Sequence, residues 1–346
     1  MRPEEGRASA RSGREERMGK TAFIFPGQGS QYVGMGKDFY EAFPVCRQVF
    51  ETAEKSTGLN LKELCFEEND RLNITEYTQI AMLTVEVALM KAVEEKGVKP
   101  DMAAGLSLGE YAALAAAGVM KEEDLFSCVR KRGIYMQEAV PVGGAMTVVL
   151  GLDTGLVERI CEETPGEVSV ANYNCPGQLV ITGEKDAVDR AAEKLKEAGA
   201  KRCVPLKVSG PFHSPLLKGA GERLDQALEE ISIQPIGLPY LSNVTADYVE
   251  DPAAVRGLLV RQVSSPVRWQ QCVERMIADG ADTFIEIGPG KSLSGFMRRI
   301  DKNVTVKNVE HVEDLEKRKA QKKAALRAGG RAAPGRRIRR YFGRKG

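Results

Sequence analysis

Apolar and polar positions along the 346 residues fall into blocks that read alternately as strand and helix. The first is Thr21-Ala22-Phe23-Ile24-Phe25, closed by Pro26, a continuous apolar run suited to a strand buried on both faces of a parallel sheet. Residues 38–96 carry helical patterns, most clearly Ile80, Leu83, Val87, Leu89, Met90 and Val93 ahead of Gly97. Lys99-Pro100-Asp101 then punctuates, Met102-Ala103-Ala104 predicts a short strand, and helices follow over 110–117 and 122–138.

Residues 145–208 form a pattern of their own. Strands are predicted over 146–150, 168–171, 179–182 and 203–208, with helices over 154–163 and 186–198. That order, β-α-β-β-α-β, is the ferredoxin-like one. The chain then returns through a helix over 216–231, a strand near 238–242, helices over 251–263 and 269–279, and an apolar strand over 283–287. The fold class is therefore α/β. A large parallel-sheet domain built from 18–144 and 209–315 accepts an insert at 145–208. Residues 1–17 and 316–346 have almost nothing to bury and read as disordered extensions, with Met18 a plausible second start.

Composition narrows the classes. Hydrophobic residues at 42% and charged residues at 28% are those of a soluble globular protein, and no stretch nears the roughly 20 apolar residues of a membrane span. The charged N-terminus lacks a secretory signal. Seven cysteines, at 46, 65, 128, 161, 175, 203 and 272, are never spaced C-x-x-C. That predicts free thiols in a reducing cytoplasm, with neither a disulfide frame nor a metal site. The formal charge of +2 hides an asymmetry: residues 317–346 hold 13 Lys/Arg and no Asp/Glu, whereas 21–316 hold 31 basic against 44 acidic residues. A nucleic-acid- or membrane-surface role led by this tail would show steep salt dependence. The tail is taken as incidental, and its removal is expected to leave activity intact.

Candidate chemistry centres on Gly105-Leu106-Ser107-Leu108-Gly109, a G-x-S-x-G turn between a predicted strand and a predicted helix. In a nucleophile elbow the glycines are required because a sharp turn leaves no room for a Cβ on either side of the serine. The same pentapeptide also occurs in ordinary turns, so alone it leaves both readings open. A serine nucleophile needs a base. Only His213 and His311 exist; His311 lies where the folded pattern fails, while His213 sits in the stiff loop Ser209-Gly210-Pro211-Phe212-His213-Ser214-Pro215. His213 is thus the candidate base. Gly27-Gln28-Gly29-Ser30-Gln31 lacks the third glycine of a dinucleotide fingerprint and is better suited to presenting N–H groups into a cleft, or to serving as a plain turn. Gly288-Pro289-Gly290-Lys291-Ser292 imitates a phosphate loop, but Ile285 stands where that motif needs glycine.

Several motifs in order carry a resemblance over roughly residues 20–315. They are Phe25-Pro-Gly-Gln-Gly-Ser-Gln31, Gly105-Leu-Ser-Leu-Gly-Glu-Tyr111, Arg132 in Lys131-Arg132-Gly133, Asn172-Tyr-Asn-Cys-Pro-Gly-Gln178, Gly210-Pro-Phe-His-Ser-Pro215, Gln262 and Ile285-Glu-Ile-Gly-Pro-Gly290. Together they resemble the malonyl-CoA:acyl-carrier-protein transacylases of type II fatty acid synthesis. The resemblance implies an α/β-hydrolase-like core with a ferredoxin-like insert. It further implies ping-pong transfer of malonyl from coenzyme A to the phosphopantetheine thiol of acyl carrier protein by a cytoplasmic monomer with no resident cofactor. Ser107 would be the nucleophile and His213 the base, with Gln262 orienting the ring through its backbone carbonyl. Gln28 and Leu108 N–H groups would hold the oxyanion, Arg132 the malonyl carboxylate, and Phe212 would disfavour an α-methyl. Leu106 departs from the family, where histidine is frequent. A trans-acting polyketide-type acyltransferase and a serine thioesterase are the alternatives, the latter expected to place Asp or Glu behind His213.

Overall fold

A computed structural model describes residues 19–140, 142–208 and 210–315; the predicted extensions, with Met18, lie outside the described residues. The first strand, β1 (Lys20–Phe25), is followed by helices α1 (Lys37–Ala42), α2 (Pro44–Thr57), α3 (Leu61–Phe66) and α4 (Thr75–Glu95). Then come β2 (Met102–Gly105), α5 (Gly109–Ala117) and α6 (Glu122–Ala139). The smaller unit comprises β3 (Gly144–Leu150), α7 (Thr154–Glu162), β4 (Val168–Cys175), β5 (Gln178–Glu184), α8 (Lys185–Glu197) and β6 (Arg202–Pro205). The return contains a 3-10 turn, Pro215–Leu217, and α9 (Lys218–Leu228), α10 (Pro252–Ser264), α11 (Trp269–Ala278), β7 (Ala281–Ile287), α12 (Ser292–Ile300) and β8 (Thr305–Val309).

The large sheet is wholly parallel in the order β2-β1-β7-β8, with Phe23 opposite Ala103 and Ile285. Its continuous apolar strands are explained by burial on both faces. Phe23, Phe25 and Ile285 join the core formed with α2, α4, α5 and α6, while Ala22, Ile24 and Phe284 pack with Trp269, Cys272 and Met276 of α11. The second sheet, running from Gly144 to Pro205, has the order β4-β5-β3-β6, antiparallel throughout, which is the ferredoxin-like arrangement. Side-chain caps set several helix starts: Asn60, Asp153 and Asp251 accept N–H bonds from Glu63, Gly155 and Ala253.

Some elements differ from the sequence reading. α4 is buried nearly all round, Thr84 and Glu86 included, where the periodicity marked a single face. The strand near 238–242 contracts to the isolated bridge Ala103↔Tyr240, followed by a second bridge, Leu241↔Tyr248, where the chain turns back. The helix expected over 216–231 is replaced by a 3-10 turn beginning at Pro215 and by α9, which ends at Leu228, and α12 and β8 were not anticipated. Among the described residues no helix is long and apolar enough to cross a membrane, and all seven cysteines are free, six of them buried.

Candidate active site

Ser107 sits at the end of β2, in the turn that feeds α5. Its φ is 55°, the left-handed region that non-glycine residues rarely occupy. The flanking glycines have no alternative. A Cβ on Gly105 would lie 1.9 Å from the Gly109 carbonyl, and one on Gly109 would lie 2.2 Å from Phe25 O. Strain of this kind costs on the order of 1–3 kcal/mol and persists only where the surroundings enforce it. Here Asn243 does so: its Oδ1 accepts the Ser107 N–H at 2.7 Å and its Nδ2 donates to Gly105 O at 2.7 Å.

His213 arrives from the loop after β6, also at positive φ (59°), and Ser214 Oγ donates to Pro211 O at 2.7 Å within the same loop. Its Nε2 is 2.7 Å from Ser107 Oγ and its Nδ1 is 2.9 Å from the backbone oxygen of Gln262 in α10. A carbonyl only accepts, so Nδ1 carries the proton and Nε2 offers its lone pair to the Ser107 hydroxyl. The tautomer needed for a general base is thereby fixed. Burial, followed by the neighbouring Arg132 charge, lowers the imidazole pKa to about 4, so the ring is neutral at physiological pH. The group behind the ring is a carbonyl, not the carboxylate expected of a hydrolase triad.

Arg132 projects from α6 to the same point and is 1% exposed. Nη1 donates to Gln79 Oε1 at 2.6 Å; Nη2 donates to Gln262 Oε1 at 3.0 Å and to Ser107 Oγ at 3.2 Å. Its guanidinium lies 5.3 Å from the centre of the Tyr111 ring. Burial lowers its pKa from the usual arginine range. No carboxylate forms an ion pair with it among the described residues. Glu110 lies deeper, its Oε2 accepting from Gln262 Nε2 at 2.6 Å and from Asn243 N–H at 3.0 Å. Burial raises the Glu110 carboxyl to about 7.

These groups open onto a pocket of about 260 Å³ between the two sheets. Gln28, Leu106, Leu108, Phe212 and Phe296 line one side; Met146, Val148, Asn172, Asn174 and Val180 of the antiparallel sheet line the other. Gln28 Nε2 is tied to Thr75 Oγ1 at 3.1 Å. The Ser107 N–H is already committed to Asn243. The N–H groups of Gln28 and Leu108 make no hydrogen bond among the described residues, which leaves them as donors for developing negative charge. Phe212 is 6% exposed and adjoins His213 in the chain. Six of the seven predicted site residues thus line one cleft and the seventh, Gln262, is hydrogen-bonded to Arg132 and His213 behind it, while His311 is exposed, 3.6 Å from Asp38. Gln79, Asn243 and the buried role of Glu110 were missed by sequence reasoning. The available signal was Gln79 itself, an uncharged polar residue inside the apolar run of α4.

Comparison with known proteins gives a consistent answer. The acyl transferase domain family matches residues 22–328. A malonyl CoA-acyl carrier protein transacylase from Bacillus subtilis is 44% identical over 304 residues, covering 86% of this chain and 96% of its own. A crystal structure of a malonyl CoA-acyl carrier protein transacylase from Clostridium perfringens aligns with TM-score 0.86 at 43% identity, over 90% of this chain and 100% of that one. A malonyl-transacylase solved in complex with a type II PKS acyl-carrier protein aligns with TM-score 0.83 at 43% identity, over 86% and 98% of the two chains.

Proposed function

The chain belongs to the acyl transferase family, with the malonyl CoA-acyl carrier protein transacylases, and from that premise we propose how its site moves a malonyl group from coenzyme A to acyl carrier protein. In the first half-reaction His213 Nε2 takes the Ser107 proton as Oγ attacks the malonyl thioester carbonyl. The oxyanion is held by the N–H groups of Gln28 and Leu108; one such donor is typically worth about 2.7–4 kcal/mol. The C–S bond breaks, the coenzyme A thiolate takes the proton from His213, and malonyl remains on Ser107. In the second half-reaction the phosphopantetheine thiol of the carrier gives its proton to His213 and attacks the same carbonyl. Ser107 Oγ leaves and recovers the proton. The cycle needs no metal and no resident cofactor, and the malonyl carrier it forms would supply fatty acid elongation in the cytoplasm, with the enzyme acting as a monomer.

The observation that carries the malonyl assignment is Arg132. Its guanidinium is buried and held by two neutral amide oxygens, with no carboxylate ion-paired to it among the described residues, and a donor lies 3.2 Å from the nucleophile. A planar fork of this kind matches the free carboxylate of malonate. The carbonyl behind His213 favours this reading over a thioesterase with an acid in that place.

The test is incubation with labelled malonyl-CoA, with and without carrier proteins from fatty acid and polyketide systems, followed by intact mass. Ser107 should gain one malonyl group and pass it to a carrier, and Ser107→Ala should abolish the adduct. Release of free malonate without a carrier, at the rate of transfer, would refute the assignment.

A further inference from the structure

We propose that Asn243 is a positioning residue for the nucleophile, its side-chain amide clamping the two peptide groups on either side of Leu106 so that Ser107 is held in its left-handed conformation against His213. The inference rests on Ser107 being the nucleophile, as proposed above.

Asn243 is fully buried and lies 136 residues from Ser107 in the chain. It follows the short extended stretch that runs beside β2, where Leu241 N–H donates to Ala103 O and Ala103 N–H to Pro239 O. The Asn243 backbone is fixed on both sides: its N–H donates to Glu110 Oε2 at 3.0 Å, and its carbonyl accepts from Arg268 N–H at 3.1 Å. The side chain therefore starts from an anchored backbone and makes both of its 2.7 Å bonds to the elbow.

Only an amide completes this pair of contacts. One atom must accept from the Ser107 N–H and the other must donate to the Gly105 carbonyl. An aspartate at 243 would turn a second oxygen toward that carbonyl, and alanine would leave a buried N–H and a buried C=O without partners. The clamp has a second consequence. With the Ser107 N–H used internally, the next N–H, that of Leu108, is the one left to face the cleft. A single side chain thus sets both the direction of Oγ and the register of the oxyanion donors.

The test compares the full chain with Asn243→Ala and Asn243→Asp. Ser107 acylation by malonyl-CoA is followed by rapid quench and intact mass, in parallel with labelling by an alkyl fluorophosphonate, and folding is checked by circular dichroism melts. Misplacement of a reacting group by about 1 Å costs roughly a hundredfold in rate. Asn243→Ala should therefore slow both reactions by about that factor, with KM for malonyl-CoA little changed, because the geometry of Oγ is common to both. Asn243→Asp should be slow at pH 8 and gain on the wild type as the pH falls to 6, since a protonated carboxyl again donates to Gly105 O. A folded Asn243→Ala chain that acylates at the wild-type rate overturns the inference, even if its melting temperature has dropped. Where Asn243→Ala does not fold, an Asn243→Asp to wild-type ratio that is constant with pH overturns it. If neither variant folds, the residue is a folding determinant and the assignment falls. Wild-type chain labelled by the fluorophosphonate but not by malonyl-CoA would sink the acyl-donor reading and leave this one standing; no label at Ser107 with either reagent removes both.

Discussion

Replacing Arg132 by alanine separates recognition of the substrate carboxylate from everything else the guanidinium does. A hydrogen bond to a charged group contributes about 1.5–3 kcal/mol, so two donors of the fork on a malonyl carboxylate amount to roughly 3–6 kcal/mol. At about 1.4 kcal/mol per decade, kcat/KM for malonyl-CoA should fall by roughly 10²–10⁴. The same substitution also removes the donor 3.2 Å from Ser107 Oγ and strips Gln79 Oε1 and Gln262 Oε1 of their partner. Each newly unpaired buried oxygen costs about 1–3 kcal/mol of stability, offset in part by no longer burying a cation. These effects act on every acyl donor alike, so they cancel in the ratio of kcat/KM for malonyl-CoA to that for acetyl-CoA. The ratio should drop by at least a hundredfold in Arg132→Ala. Arg132→Lys, which keeps the charge and loses the planar fork, should fall between. The assay is steady-state transfer to carrier protein with both donors, at a temperature where each variant is folded. An equal loss for malonyl and acetyl would refute the reasoning and make the guanidinium a support for Ser107 alone.

Three further outcomes follow from the same geometry. The proposed base His213 works when neutral, and its pKa is lowered to about 4, so the acid limb of acylation should lie near pH 4 to 5; the nearby Glu110 carboxyl is raised to about 7. An inflection near 6.5 that persists in Glu110→Gln would contradict the buried, neutral His213. Phe212→Ala should raise turnover of methylmalonyl-CoA relative to malonyl-CoA by about 10–200-fold, the discrimination that one methyl group supports; an unchanged ratio excludes Phe212 as the selector. Glu86 is fully buried in α4, neither oxygen has a hydrogen-bond partner among the described residues, and burial followed by the Glu286 charge raises its pKa well above the carboxylate range. A raised carboxyl binds its proton more tightly in the folded state, so stability falls as pH rises from the unfolded value of about 4.5 toward the folded one, by up to about 1.4 kcal/mol per pH unit. Glu86→Gln should therefore gain on the wild type in thermal melts between pH 5 and 8, and a constant difference would refute this.

The parallel sheet and the inserted unit were legible in the sequence because their strands are short apolar runs bounded by proline or glycine, as at Thr21 to Pro26. The elements that escaped lacked that contrast. β8 is Thr305-Val306-Lys307-Asn308-Val309, half polar because it is an edge strand. α12 starts beyond a Gly-Pro-Gly-Lys loop, and its first turn is capped from a distance, Glu286 accepting the N–H groups of Leu293 and Ser294. At the site, Ser107 and His213 could be found because few residue types serve as nucleophile and base. Arg132, one of three adjacent cations, was assigned only through resemblance, since the burial that singles it out arises from packing between α4 and α6. Asn243 carried no local signal at all. Its role depends on a chain segment meeting the elbow from 136 residues away.

The carbonyl behind His213 suits a reaction that is nearly the same in both directions. In the proposed cycle each half-reaction exchanges a thioester for a serine ester or back, and the partner leaving or entering is a thiol with an ordinary pKa of about 8.5. A thiol needs far less help from a base than water does. A weakly basic imidazole, held neutral by burial and the nearby guanidinium, becomes a strong acid once it takes the Ser107 proton, and returns it readily to the departing thiolate. A carboxylate in place of the Gln262 carbonyl would stabilise the imidazolium, slow that return and favour activation of water. In the proposed cycle the dyad Ser107–His213, with Nδ1 anchored to a neutral oxygen, would therefore bias the acyl-serine toward waiting for a second thiol.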